Sequence, residues 1–139
     1  MSATDCLFCK IAARELPAQI IYEDAETLAF LDINPINPGH ALVIPKKHSM
    51  DIFEIDEESW AAVMKTSRIV AHALEKALKT DGINLGMNNR AGAGQMVFHA
   101  HVHVMPRFEG DPHKPWPGKP YAEGEFAAMG DKIRSALKN

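Results

Sequence analysis

The sequence predicts an α+β fold: an antiparallel β-sheet of about five strands with one long helix and a C-terminal helix. Three observations predict it. Five short apolar runs are bounded by Gly, Pro, Asn or Asp; one long stretch, 56–80, carries helical periodicity; and the strands come in runs with the helices set apart from them. The 139 residues, 46% hydrophobic and 24% charged, suffice for one domain with a core and are too few for two. A net charge of −3 gives no basic footprint for a nucleic-acid polymer. No apolar run approaches the length, about 18 residues, that a membrane span needs. The stretch from Met1 to Lys10 lacks the basic, apolar, small-residue order of a secretory signal, so a cytoplasmic location is expected.

In chain order, Asp5 is expected to cap a short helix over 6–14, which Pro17 stops. The runs 18–23 (AQIIYE) and 27–32 (TLAFLD), parted by Asp24-Ala25-Glu26, read as a hairpin. A turn-rich loop, 34–39 (NPINPG), leads into a third strand, 40–45 (HALVIP). The long helix 56–80 has Asp56 as N-cap, Glu57 and Glu58 in its first turn and Asp81-Gly82 as its stop. At about 100° per residue, Trp60, Val63, Met64, Val70, Ala71, Leu74 and Leu78 form its main buried stripe. A second stripe of Ala62, Thr66, Ile69, Ala73 and Ala77 is expected to pack on a second copy of the chain, making a homodimer. Strand 83–88 (INLGMN) and the glycine-bearing loop 89–94 feed a fifth strand, 95–105. Beyond Pro106 the proline-rich run 109–120 reads as an irregular surface arm, and 121–138 closes as an amphipathic helix.

The fifth strand (QMVFHAHVHVM) is the chemical centre. Period-two alternation puts His99, His101 and His103 on one face and Phe98, Ala100, Val102 and Val104 on the other, core-facing one. Every imidazole carries a donor and an acceptor that need partners, and adjacent imidazolium charges repel, so three on one face point to metal binding or catalysis. A neutral imidazole is a nucleophile towards phosphorus. It then requires an acceptor for its other nitrogen, donors for the phosphate oxygens and a proton for the leaving group. Alternate strand residues lie ~6.5–7 Å apart, an awkward spacing for three rings to converge on one ion. Cys6 and Cys9, in CxxC spacing, read as a metal clip or a redox pair before a structural disulfide.

Gly94-Gln95-x-Val97-x-His99-x-His101-x-His103, together with 40–48 (HALVIPKKH), resembles the signature of the histidine triad (HIT) superfamily of nucleotide hydrolases and transferases. The likeness runs from Cys6 to about Arg107. It implies a HIT-like fold in a single domain over 1–139, with 1–17 as an N-terminal zinc-clip helix and 109–139 as a C-terminal arm and helix. It implies that His101 takes the α-phosphate as a covalent nucleotidyl intermediate, and that His103 and His40 complete the proton and hydrogen-bond relay. Asn88, Gly94 and Gln95 would then lie on the phosphate side, Asp32 on the ribose hydroxyls, and Phe30 and Ile33 beside a purine base. Many relatives carry Ser or Thr after the glutamine, where Met96 offers no hydroxyl. The resemblance also implies a structural zinc ion held by Cys6, Cys9, His48 and His99, which leaves His101 free for chemistry.

The implied substrates are purine nucleoside phosphoramidates or related nucleotidyl conjugates; dinucleoside polyphosphate hydrolysis and a low-turnover nucleotide-binding regulatory role are the alternatives. Val104-Met105-Pro106-Arg107 is similar to polyphosphate-cleaving and microbial members, and the Asp32 and His40 segments and Pro115-Trp116-Pro117-Gly118 to the Hint branch. From the residues alone, His40 also fits a core histidine, Asp32 and Asn88 turn formers, and Gly94 a hinge. A metalloenzyme using His99, His101 and His103 as its metal triad is a further rival.

Overall fold

The structure, a computed structural model, describes residues 5–114 and 116–138. Residues 1–4, Pro115 and 139 lie outside the described residues, so the Pro115-Trp116-Pro117-Gly118 motif and the stretch from Met1 to Lys10 are covered only in part. Five strands, β1 (Ile20–Glu23), β2 (Thr27–Leu31), β3 (Ala41–Pro45), β4 (Gly82–Gly86) and β5 (Val102–Arg107), make one antiparallel sheet in the order β1-β2-β3-β5-β4. Three α-helices accompany it: α1 (Leu7–Ala12), α2 (Glu57–Leu78) and α3 (Glu125–Leu137).

Alternation along the strands builds two cores. Ala29, Ala41, Val43, Val102 and Val104 point to one face and pack on Val63, Val70 and Leu74 of α2. Leu28, Phe30, Leu42 and Ile44 point to the other and pack on Cys6, Phe8 and Ile11 around α1. Each buried Val, Leu, Ile or Phe among them contributes roughly 1.5–3 kcal/mol by leaving water. Because both faces are covered, β2 and β3 are apolar almost throughout. The hairpin closes on Asp24, whose Oδ1 accepts the Glu26 and Thr27 N–H groups at 2.9 and 2.8 Å.

Several expectations are corrected. The N-cap of α1 is Cys6, whose Sγ accepts the Cys9 N–H at 3.4 Å, and the helix ends at Ala12. Helix α2 stops at Leu78, with Lys79 in the left-handed region as its cap (φ 53°), and Gly82 already opens β4. Thr66 does not belong to an outward stripe: it is buried, and its hydroxyl meets that of Thr27 at 2.7 Å. Ala73 and Ala77 are exposed. Strand β5 begins at Val102, not Gln95, and runs through Pro106 to Arg107. Proline is tolerated there because β3 pairs β5 only as far as Val104, and the Pro106 carbonyl accepts instead from Asn37 Nδ2 at 2.9 Å. Helix α3 starts at Glu125, later than expected, and leaves Phe126, Met129, Ile133 and Leu137 exposed. No helix among the described residues is long and apolar enough to cross a membrane.

Gly39 joins the loop to β3 and delivers His40. Its φ of +100° suits glycine, and a Cβ there would lie 2.6 Å from Leu78 Cδ1 and 3.3 Å from Leu74 Cδ2. Gly39→Ala is expected to destabilise the fold by about 2 kcal/mol or more, read as a fall of several degrees in thermal unfolding.

Candidate functional site

A cleft of about 400 Å³ opens on the α1 face of the sheet. Leu7, Phe8 and Ile11 form one wall, Phe30, Leu31 and Leu42 another, and Asp32, Asn34, Asn88, His101 and His103 line its polar end. His101 sits just before β5 with its ring against Phe8, edge-on, the centroids 5.1 Å apart. Its Nδ1 lies 2.7 Å from the His99 carbonyl. A carbonyl can only accept, so Nδ1 carries the proton and Nε2 keeps its lone pair for the cleft. Burial holds the His101 pKa below the ordinary imidazole value, against the pull of the His99 carbonyl and Asp32.

The neighbouring ring has the opposite polarity. The Ile36 N–H donates to His40 Nδ1 at 3.2 Å, so the proton of neutral His40 is on Nε2 and is donated to His103 Nδ1 at 2.9 Å. His103 in turn carries its proton on Nε2. Asp32 Oδ2 lies 3.6 Å from His40 Nε2, while Asp32 Oδ1 accepts the Asn34 N–H at 2.8 Å. Burial lowers the His40 pKa. Burial, then the neighbouring His101 and His40, brings His103 down to about 4.

The structure brings together Asp32, Phe30, Ile33, Asn88, Gly94, His101 and His103 along the cleft, with His40 behind His103. Gln95 is not among them. Its side chain is turned inward, with Nε2 donating to the Met50 and Val97 carbonyls at 2.7 and 3.1 Å and Oε1 accepting the Arg90 N–H at 2.6 Å. Its own N–H goes to Arg90 O, and that of Gly94 to Ala91 O, at 3.1 and 3.0 Å, so both donors assigned to a phosphate are consumed in holding the loop. Met96 is exposed at the rim. Sequence reasoning missed Leu7, Phe8 and Ile11; their i, i+1, i+4 spacing on α1 was the available signal.

His99 faces a different group. It lies on a bend ahead of β5, with its ring 5.0 Å from that of His48 and its Nδ1 3.3 Å from Cys6 Sγ, 3.5 Å from Cys9 Sγ and 3.2 Å from His48 Nδ1. Cys9 Sγ and His48 Nδ1 are 3.3 Å apart. Nε2 of His99 donates to the Pro45 carbonyl at 2.7 Å, so its Nδ1 presents a lone pair to the cluster. Tetrahedral bonds of about 2.3 Å to sulfur and 2.0 Å to nitrogen would put donors roughly 3.3–3.8 Å apart, close to what is seen. Burial, then the neighbouring Cys6, pushes the Cys9 thiol up to about 11, a cost that a divalent cation among two sulfurs and two imidazoles removes. The donor set therefore fits a four-coordinate metal ion.

The HIT domain family matches residues 13–110. Adenosine 5'-monophosphoramidase hnt1 of Schizosaccharomyces pombe is 37% identical over 139 residues, covering 96% of this chain and 98% of the relative. Adenylylsulfatase HINT3 of Arabidopsis thaliana is 43% identical over 107 residues, covering 77% of this chain and 54% of the relative. Among solved structures, a protein of Streptococcus mutans UA159 superposes with a TM-score of 0.90 at 42% identity, covering 99% of this chain and 86% of that one. A zinc-bound histidine triad family protein of Mycobacterium smegmatis does so with a TM-score of 0.78 at 36% identity, covering 97% and 99%.

Metal-free protein titrated with Co(II) is expected to bind one equivalent, with sulfur-to-cobalt charge-transfer absorption in the near ultraviolet. Cys6→Ser and Cys9→Ser should each weaken binding and reduce that band, and absorption spectroscopy checks both.

Proposed function

The chain belongs to the HIT domain family, and from that premise we propose that it hydrolyses or transfers the nucleotidyl group of purine nucleoside phosphoramidates or related conjugates through a covalent intermediate on His101. The observation that carries this reading is the opposite polarity of two adjacent rings. His101, with its lone pair on Nε2, and His103, with its proton on Nε2, both line the cleft with centroids 5.0 Å apart. His101 Nε2 attacks the α-phosphorus, and the new N–P bond forms as the bond to the leaving group breaks. The His103 N–H hydrogen-bonds the charge that develops, and the leaving amine takes its proton from a water molecule, whose hydroxide is neutralised by the proton that the hydrolytic second step releases. Water then attacks the nucleotidyl-histidine, returning the free imidazole and a nucleoside monophosphate. The apolar walls of Phe8, Ile11, Phe30 and Leu42 suit a purine base, and the Asp32 carboxylate suits the ribose hydroxyls.

Charge favours conjugates of a single phosphate. Among the described residues no Lys or Arg lines the cleft. A polyphosphate chain would bring several negative charges with no cation to meet them, which ranks dinucleoside polyphosphates as the alternative. Met96 at the rim, without a hydroxyl for the phosphate, favours slow turnover and keeps a nucleotide-binding regulatory role as the second alternative. Zinc is our reading of the ion at Cys6, Cys9, His48 and His99, supported by the two-sulfur, two-nitrogen donor set and by the zinc-bound relative. Zinc would keep both thiolates ionised and fix α1 to the His99 bend. We read 1–139 as a single domain, a cytoplasmic homodimer whose partner meets the exposed Ala73 and Ala77 of α2 and the edge strand β4.

Intact-protein mass spectrometry after an acid quench tests the chemistry. Wild type mixed with adenosine phosphoramidate is expected to gain one adenylyl mass, and His101→Ala to gain none; wild type with neither adduct nor nucleotide release would remove the enzymatic reading for that substrate. The pH profile is a second check. With the His103 pKa brought down to about 4, the relay stays neutral through the neutral range, so kcat/KM should be flat from about pH 6 upward and fall only in more acid solution.

A further inference from the structure

We infer that His113, on the arm that follows β5, is a positioning residue for the His40–His103 pair, acting through the main chain of Ile36. The inference rests on the reading of the cleft given above. His113 Nε2 donates to the Ile36 carbonyl at 2.8 Å, and the Ile36 N–H donates to His40 Nδ1 at 3.2 Å. One residue is thus held at its carbonyl by the arm while its amide decides which nitrogen of His40 carries the proton. That choice sets the direction of the His40 to His103 hydrogen bond, and with it the N–H that His103 presents to the cleft.

The loop depends on outside partners. It contains Pro35 and Pro38, which have no N–H to give, so few internal bonds fix its path. The arm supplies the missing anchors at two consecutive residues. Beside the His113 bond to Ile36, Asn37 Nδ2 donates to Asp111 Oδ2 at 3.1 Å, and the Asn37 carbonyl accepts the His40 N–H at 3.0 Å. His113 is itself fixed. Its N–H donates to Asp111 Oδ1 at 3.1 Å, and its carbonyl accepts from Arg107 Nη2. Arg107 donates to both oxygens of Asp111, Nε at 2.9 Å and Nη2 at 2.6 Å. Arg107 ends β5, four residues after His103, so the arm refers the loop back to the strand that carries the relay. A carbonyl acceptor demands a donor at 113, and imidazole supplies one at the end of a rigid ring. The titratable groups facing His40 are Asp32 and His103.

Three variants test this in the full chain: His113→Ala, His113→Phe, which keeps the ring bulk without the donor, and His113→Gln, which keeps a donor. The first readout is long-range proton–nitrogen NMR of the His40 ring, which needs no turnover. Wild type is expected to show His40 protonated on Nε2, His113→Ala and His113→Phe a mixture of tautomers, and His113→Gln the wild-type pattern. The second is steady-state kinetics on adenosine phosphoramidate: kcat should fall about tenfold in the donorless variants with KM within about twofold, and recover in His113→Gln. A wild-type His40 tautomer and kcat in both donorless variants would overturn the inference, as would an equal loss in all three variants. If wild type does not turn over the phosphoramidate, the proposed function fails for that substrate while the tautomer measurement still decides the role of His113. Should His113→Ala not fold, His113→Phe carries the comparison.

Discussion

The carbonyl oxygen of His99 is the point on which the site turns. It accepts the Nδ1 proton of His101, while the side chain of the same residue faces the two cysteine sulfurs and His48. The segment around it is tied to the end of β3 and the loop beyond, through His99 Nε2 to the Pro45 carbonyl and the Ala100 N–H to the Ser49 carbonyl at 2.7 Å each. The His101 imidazole is therefore located by the chain 45–49 and by the cysteine cluster, as much as by the strand that it precedes. Helix α1 belongs to the same construction: Cys6 and Cys9 enter the cluster, and Phe8 between them lies against both His99 and His101.

Neutral imidazoles at close quarters need an assigned proton on each ring; the backbone assigns those of His99, His101 and His40, and His40 passes its direction on to His103. Carbonyls take the N–H of His99 and His101; an amide gives its N–H to His40. Burial lowers the basicity of His40, His99, His101 and His103, so mutual repulsion is avoided by keeping the rings uncharged. The histidine cluster is polar and half-buried, and among the described residues no cationic side chain lines the cleft beside it.

Much of this was legible in the sequence. Runs such as TLAFL and ALVIP could be recognised because burial on both faces leaves them almost wholly apolar. The histidine segment was legible as chemistry but less so as geometry. Alternation of side chains looks the same whether or not the ladder bonds exist, and the approach to His99 bends towards the cysteines before pairing starts at Val102. Gln95 is a polar residue beside a glycine, and no local pattern distinguishes an amide that meets a ligand from one that braces its own loop. Helical periodicity places Thr66 on the second stripe with Ala73 and Ala77, and only its partner Thr27, distant in sequence, shows that it faces the sheet. His113 was hidden among prolines in a segment with no periodicity at all, since its partner lies 77 residues away.

Helix α3 has 13 residues and no buried one. Isolated helices shorter than about 12–15 residues are marginal in water, and no residue of this one is buried against the sheet. Its formation is consequently a helix–coil equilibrium largely separate from the cooperative unfolding of the sheet, α1 and α2. The amides of α3 should then exchange with solvent on their own schedule, and denaturant midpoints measured on the core should be insensitive to substitutions along Phe126, Met129, Ile133 and Leu137.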